Sequence, residues 1–366
     1  MIQNIKHDTP ISNFLIHYNG SAQLETPGNR GISHLMEHLI CKGYEKLEPK
    51  MNRYGIYTNA QTSGTDILFY MSGLEPYINK FKQPYLDGLL SFNITEKQLQ
   101  NEKNIVLQEY DDTFNDQSTC HVLNFYRRYL NDFNAIGCHH DLKDINLNQC
   151  NDFFTKQFKR PNQLFNIYNK NQFNNNLEFQ PLQKYKIPTL DYYSDAQIIK
   201  RNFNDNVSII FHSGILTDSF SELQIISDML AGGLISPLYK IIREKYGLVY
   251  HIQASIDQLS NDAGMFTVST MTNKKNVNKI KKLLTMMFNH PEKILTEKRF
   301  NNVKQQISIE LQKSNILKGM SYIYPKMQTD MWNMEKNIKN INYDDILNTF
   351  NNSLTNMKFN IDSEFR

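Results

Sequence analysis

Gly31-Ile32-Ser33-His34-Leu35-Met36-Glu37-His38-Leu39-Ile40-Cys41-Lys42-Gly43 is the stretch from which the rest of the chain can be read. Its flanks suit a buried helix, predicted over 31–42, and Gly43 suits the position just past a helix C-terminus. A spacing of four puts His34 and His38 on one helical face, one turn apart, where both imidazoles can share one metal ion. Glu37 follows His34 by three residues and lies on the same side, within reach of a water on that metal without being a ligand. This is the pattern H-x-x-E-H, in which the glutamate serves as general base. The alternative reading of the pentapeptide is a core helix with two hydrogen-bonded histidines. Chance would produce the pattern about once in a hundred such chains.

Two histidines do not hold a catalytic zinc, which takes three protein ligands and leaves one position for water. The segment from Thr95 to Asp112 reads as a helix, and Glu102, Val106 and Glu109 fall on one face at i, i+4 and i+7. Two glutamates on an inward stripe are costly without a partner, and a cation would be that partner. Glu109 is therefore assigned as the third ligand, and Glu102 as the carboxylate behind the ligands that orients them. Taken without the first helix, the same segment reads as a solvated face with two ordinary glutamates.

With these residues in view, the chain resembles the pitrilysin or insulysin family of zinc peptidases, the inverzincins, which include the mitochondrial processing peptidases. The resemblance extends from Asn19-Gly20-Ser21 through Glu25 to His34-x-x-Glu37-His38 and Lys42-Gly43, then to Asn59-Ala60-Gln61-Thr62-Ser63. It continues into Gly232-Gly233, Ser236-Pro237-Leu238 and Arg243-Glu244-Lys245-Tyr246-Gly247-Leu248-Val249-Tyr250. It covers nearly the whole chain in order. It implies an α+β fold built of two homologous α/β-sandwich units, each a mixed, mainly antiparallel sheet packed with helices.

Composition is consistent with that reading. At 366 residues two domains are the better expectation, and a net charge of +3 with no basic stripe gives no case for nucleic acid. No apolar run approaches the roughly 18 residues of a membrane helix. The N-terminus does not read as a signal peptide. Cys41, Cys120, Cys138 and Cys150 show no zinc-finger or redox spacing. Reduced thiols in a cytoplasmic setting are expected. Cys138-His139-His140 with Cys150 matches no known metal spacing and is read as loop without metal.

Taken in order, strands are predicted at 11–17, 56–61, 67–71 and 164–168, with helices at 45–54, 75–92, 95–112, 117–131 and 147–158. Family members carry about one more strand before residue 11, and its absence here would leave a sheet edge in need of cover. Composition shifts from Asn169 to about Asp195. The domains are therefore drawn as 1–182 for the metal-binding unit, 183–195 for the linker, and 196–366 for a metal-free second unit. The second unit is predicted to hold strands at 207–212, 249–256, 264–270 and 357–361. Its helices are expected at 219–231, 237–245, 275–289, 295–317, 320–335 and 343–351.

The resemblance implies a zinc endopeptidase with one Zn2+ held by His34, His38 and Glu109. It implies that Asn59 and Ala60 lie on an exposed edge strand that takes an extended peptide substrate as an added strand. It also implies that Arg243 and Tyr250 bind substrate near the scissile bond, supplied by a second copy or a related chain in a dimer enclosing a chamber. The rival reading, from another class, is a non-catalytic or partner-dependent structural subunit of a peptidase complex. Loss of His34, Glu37, His38 or Glu109 would have marked that reading, and all four are present.

Overall fold

The computed structural model describes the chain except residues 7, 9, 132–133, 184–187, 195, 202–205, 261, 314–337 and 363–366, and except the side chains of 310–313. The helix predicted over 320–335 lies outside the described residues, as does part of the one predicted over 295–317. The described residues fall into two compact units, one within 1–112 and 133–185, the other within 113–132, 186–313 and 324–366.

The first unit is built on a five-stranded sheet. Its strands are β1 (Ile2–Lys6), β2 (Ile11–Asn19), β3 (Tyr57–Thr62), β4 (Asp66–Leu74) and β5 (Gln163–Tyr168), in the order β1-β5-β2-β4-β3. β1 runs parallel to β5, and the other pairings are antiparallel. β2 and β4 are buried along almost their whole length, as strands covered on both faces must be. β3 instead alternates between exposed and half-buried residues and pairs only with β4 among the described strands. Helices α1 (Ile32–Cys41), α2 (Glu48–Asn52), α3 (Glu75–Leu90) and α4 (Glu96–Asn115) belong to this half of the chain. Leu35, Met36 and Leu39 of α1 share its core with Phe14, Ile16, Phe69 and Tyr85, all fully buried.

Two expectations are corrected here. A strand does precede residue 11: Ile2–Lys6 pairs with β5 from Ile2↔Leu164 to Lys6↔Tyr168. The stretch is short and half polar, so it carries no strand signal of its own; its hydrogen bonds come from a partner some 160 residues away. Gly43 is also required for a different reason than a left-handed turn. It has no positive φ, and a Cβ there would lie 1.9 Å from the Gly88 carbonyl oxygen. The end of α1 passes α3 too closely for any side chain.

In the second unit α5 (Gln117–Tyr129) is followed in sequence by strands β6 (Asn206–His212), β7 (Ile252–Ser260), β8 (Ala263–Asn273) and β9 (Lys358–Ile361). The sheet order is β7-β8-β6-β9, wholly antiparallel. Helices α8 (Phe220–Ala231), α9 (Val277–Phe288), α10 (Pro291–Ile294), α11 (Glu297–Lys313) and α12 (Tyr343–Ser353) complete it, α6 (His139–Asp144) and α7 (Leu147–Phe153) belonging to the first. Its core joins Phe211 and Phe266 of the sheet to Leu223, Ile226, Leu284 and Phe350 of the helices.

The two sheets repeat one plan. In each, the closing strand lies beside the opening strand, and the next two strands follow in reversed order: β5-β2-β4-β3 against β9-β6-β8-β7. In each, one helix follows the opening strand, α1 in the first and α8 in the second. The fold is thus α+β, two α/β-sandwich units in one chain.

A domain boundary drawn at 182 needs one amendment. Residues 113–132 group with the second unit. The side chains of α5 explain it: His121 Nε2 lies 2.7 Å from Asn360 Oδ1, and Gln117 Nε2 donates to the Asn206 carbonyl and to Asp362. Asn124 pairs with both backbone groups of Ile199. Local sequence shows a helix there but not which sheet it serves.

Candidate metal centre

α1 begins where its backbone donors find a carboxylate. Glu25 accepts from the Gly31 N–H at 2.7 Å and from the Ser33 N–H at 2.9 Å, satisfying two of the helix's orphan donors. Gly31 sits at φ 94°, and a Cβ there would meet the Leu142 side chain at 2.8 Å. Asp141 holds the preceding loop through the N–H groups of Gly28 and Arg30. The first turn is therefore fixed before His34 is reached.

α4 brings the carboxylates. Its register is set by Lys103, whose buried ammonium donates to the Lys143 and Ile145 carbonyls. The neighbouring Glu102 then faces α1 and is buried, as is Val106. Glu109, two turns on, is 45% exposed, more open than an inward stripe would place it.

The imidazoles of His34 and His38 stand edge to face with centroids 4.9 Å apart. Glu109 Oε2 is 3.4 Å from His34 Nε2 and 3.7 Å from His38 Nε2. One ligand atom from each residue lies within 4.8 Å of the others, the one such group found among the described residues. These separations exceed a charge-assisted hydrogen bond, about 2.8 Å. The two separations from Glu109 come close to the edge of a tetrahedron with metal–ligand bonds of about 2.05 Å, which is about 3.4 Å. Two imidazole nitrogens and one carboxylate oxygen are also a donor set suited to zinc, so the residues fit the ion.

Behind these residues, Glu102 bridges His38 and Lys42. Its Oε2 is 3.4 Å from His38 Nδ1, and its Oε1 is 2.8 Å from Lys42 Nζ. A carboxylate on Nδ1 fixes the tautomer that leaves Nε2 free for a metal. The Glu102 hydrogen bond raises the Lys42 pKa, outweighing its partial desolvation. Burial, reinforced by His38, pushes His34 down to about 4, so its imidazole is neutral and ligand-ready at neutral pH. Glu37 is raised by burial and by Glu109, against the Thr62 hydrogen bond and His38, which lower it. A carboxyl so raised is closer to the working range of a general base.

All four residues expected at the centre are thus brought together by α1 and α4, with Glu102 behind them. Asn59 and Ala60 lie on β3, with Asn59 Nδ2 donating to the Tyr70 hydroxyl at 3.3 Å. Arg243 and Tyr250 belong to the second unit. Arg243 lies within a π-helical segment, Tyr239–Lys245, and its guanidinium carbon is 4.6 Å from the Tyr239 ring centroid and 5.2 Å from that of Tyr250. Tyr250 is 84% exposed. Two residues of the centre were not given roles by sequence reasoning, Lys42 and Thr62. Lys42 could have been found as the next residue at i+4 from His38; Thr62 reaches Glu37 from a separate strand.

The described residues form two α/β units, and among them one three-residue group, in the first unit, is placed to hold a metal ion. Residues 6–131 match the insulinase domain (peptidase family M16), and residues 145–307 match the peptidase M16 inactive domain. The chain belongs to this family, M16. A protein of Rickettsia felis described as an uncharacterized zinc protease is 22% identical over 90% of this chain and 86% of its own length. The bovine mitochondrial-processing peptidase subunit beta is 23% identical over 38% of this chain and 30% of its own length. The crystal structure of a protease from Helicobacter pylori shares the fold with a TM-score of 0.82 at 15% identity, covering 98% of this chain and 96% of that one.

Proposed function

We propose that this chain is a zinc-dependent endopeptidase that cleaves extended peptides, such as leader or targeting segments. The observation that carries the reading is the convergence of His34, His38 and Glu109 on one point beside Glu37. The M16 relatives named as zinc proteases support it. A zinc ion held there would supply an electrophile and acidify a water in its open fourth position. Glu37 takes the proton from the attacking water and later delivers it to the leaving amine. Glu102 keeps His38 in the tautomer and orientation that present Nε2. β3, with Asn59 and Ala60, offers free backbone groups to a peptide lying as an added strand. Tyr250 donates a hydrogen bond to the developing oxyanion, and Arg243 holds a neighbouring carbonyl. In this reading these two come from a second chain, so that the active form is a homodimer or a pair with a related chain.

A second reading is favoured by the bovine relative, which is one subunit of a peptidase. In that reading this chain is silent until its partner binds, or serves only as a structural subunit. One experiment separates the two. The purified chain and its Glu37→Gln variant are offered a mixed library of unstructured peptides, with products read by mass spectrometry and zinc by elemental analysis. Cleavage by the wild type and none by a variant that keeps its zinc supports the peptidase. Zinc in both and cleavage by neither supports the partner-dependent subunit.

A further inference from the structure

Thr62 is the last residue of β3, paired with Ile67 of β4, and its hydroxyl donates to Glu37 Oε2. That contact joins the exposed edge strand to the carboxylate beside the metal-ligand set. Several further bonds hold Thr62 in place. The next residue, Ser63, donates its N–H to the Asp66 carbonyl at 2.8 Å, and its hydroxyl accepts from the N–H groups of Thr65 and Asp66. Asp66 is itself anchored from the sheet interior, its Oδ1 lying 2.6 Å from His17 Nε2, with both side chains 1% exposed. The β3–β4 turn is thus closed by side chains and backed by a buried pair, and the Thr62 hydroxyl is delivered to a fixed point.

A carboxylate next to a divalent cation has two available roles. It can take a proton from water, or it can rotate and bind the metal, filling the position that water needs. Nothing in the spacing H-x-x-E-H prevents the second. A hydroxyl donating to one carboxylate oxygen does, because it fixes the plane of the group and occupies the oxygen nearest the strand.

We propose that Thr62 is a positioning residue that tethers Glu37 Oε2, leaving Oε1 to face the reaction and keeping Glu37 off the metal. This rests on the reading of Glu37 as general base. It also means that the strand offered to the peptide and the group that acts on water are set by one element.

Thr62→Val removes the hydroxyl at nearly constant shape, and Thr62→Ser keeps it. Both are made alone and with Glu37→Gln, and each protein is studied with zinc for turnover and with cobalt for its visible spectrum. The expected result is a fall in kcat for Thr62→Val on the order of tenfold to a hundredfold, with KM within about twofold and zinc content unchanged. Thr62→Ser is expected to stay within about threefold of wild type, and Thr62→Val to cost nothing further in the Glu37→Gln background. The cobalt bands of Thr62→Val should differ from wild type, and Glu37→Gln should abolish that difference. Wild-type kcat and bands in Thr62→Val overturn the proposal, as does equal damage in Thr62→Ser. An undiminished effect of Thr62→Val in the Glu37→Gln background, or failure of the chain to bind cobalt, overturns it too. If the wild type cuts no peptide, the endopeptidase reading fails on its own, and the cobalt spectra still decide the role of Thr62.

Discussion

Glu102 shows how much a single side chain can set. It is nearly buried, and its two oxygens face His38 Nδ1 and the Lys42 ammonium. Without it, Nδ1 of His38 loses its partner and the imidazole is free to choose the other tautomer. Glu102→Gln is therefore expected to weaken zinc binding by about 10- to 100-fold while leaving the fold intact. Competition against a chromophoric chelator measures this, and wild-type affinity in the variant would remove the orienting role. The spacing of Glu102 and Glu109, seven residues apart on one helix, was legible, and it pointed to a metal only beside His34 and His38. Thr62 and Lys42 are different cases. The partner of Thr62 arrives from another element, and no spacing rule links residue 62 to residue 37. Lys42 is on the same helix as His38, but its role appears only when Glu102 is seen between the two.

At the scale of elements, the long periodic helices and the central strands were legible, and the places where elements meet were not. β1 was missed because parallel pairing with a strand at the far end of the unit leaves no local trace. Gly43 was recognised as a glycine position, but its reason, the approach of the Gly88 carbonyl, lies in the packing of α1 against α3. The junction of α3 with the segment after β5 is another such place. Glu75, 4% exposed at the start of α3, accepts from the N–H groups of Asn169, Lys170 and Asn171. Burial alone would raise its pKa, but the three backbone donors together with the Asn79 side chain outweigh it and hold the carboxyl below its ordinary range. A carboxylate whose folded pKa is depressed contributes stability above its unfolded pKa, and that contribution is lost as pH falls through the folded value. Glu75→Ala is expected to lower stability at neutral pH by about 2 kcal/mol. The loss should shrink as pH falls below the unfolded carboxyl's value, about 4.3, and towards the depressed folded value. Urea denaturation of both proteins at pH 7 and at pH 3.5 tests the magnitude and the sign, and a pH-independent difference would exclude the ionised carboxylate as its source.

At the scale of the whole molecule, the duplicated plan was legible as a repeated order of elements, and the sheet orders β5-β2-β4-β3 and β9-β6-β8-β7 bear it out. What duplication leaves unequal is chemistry. The first helix after the opening strand carries His34, Glu37 and His38 in one unit, and in the other α8 carries none of that motif. Arg243 and Tyr250, adjacent and largely solvent-facing in the case of Tyr250, are the polar pair that the second unit adds. If a second chain supplies them to the metal centre, one chain can lack its histidine and another its arginine, and a mixed dimer will still assemble one intact site. His38→Ala and Arg243→Ala are each expected to be inactive alone. Mixed in equal amounts and allowed to exchange, they should recover about a quarter of wild-type activity, since half of the dimers are mixed and each holds one intact site of two. Recovery that scales with the mixed-dimer fraction on native mass spectrometry supports the shared site. Absence of recovery while mixed dimers form would assign Arg243 and Tyr250 to some role other than completing the partner's centre.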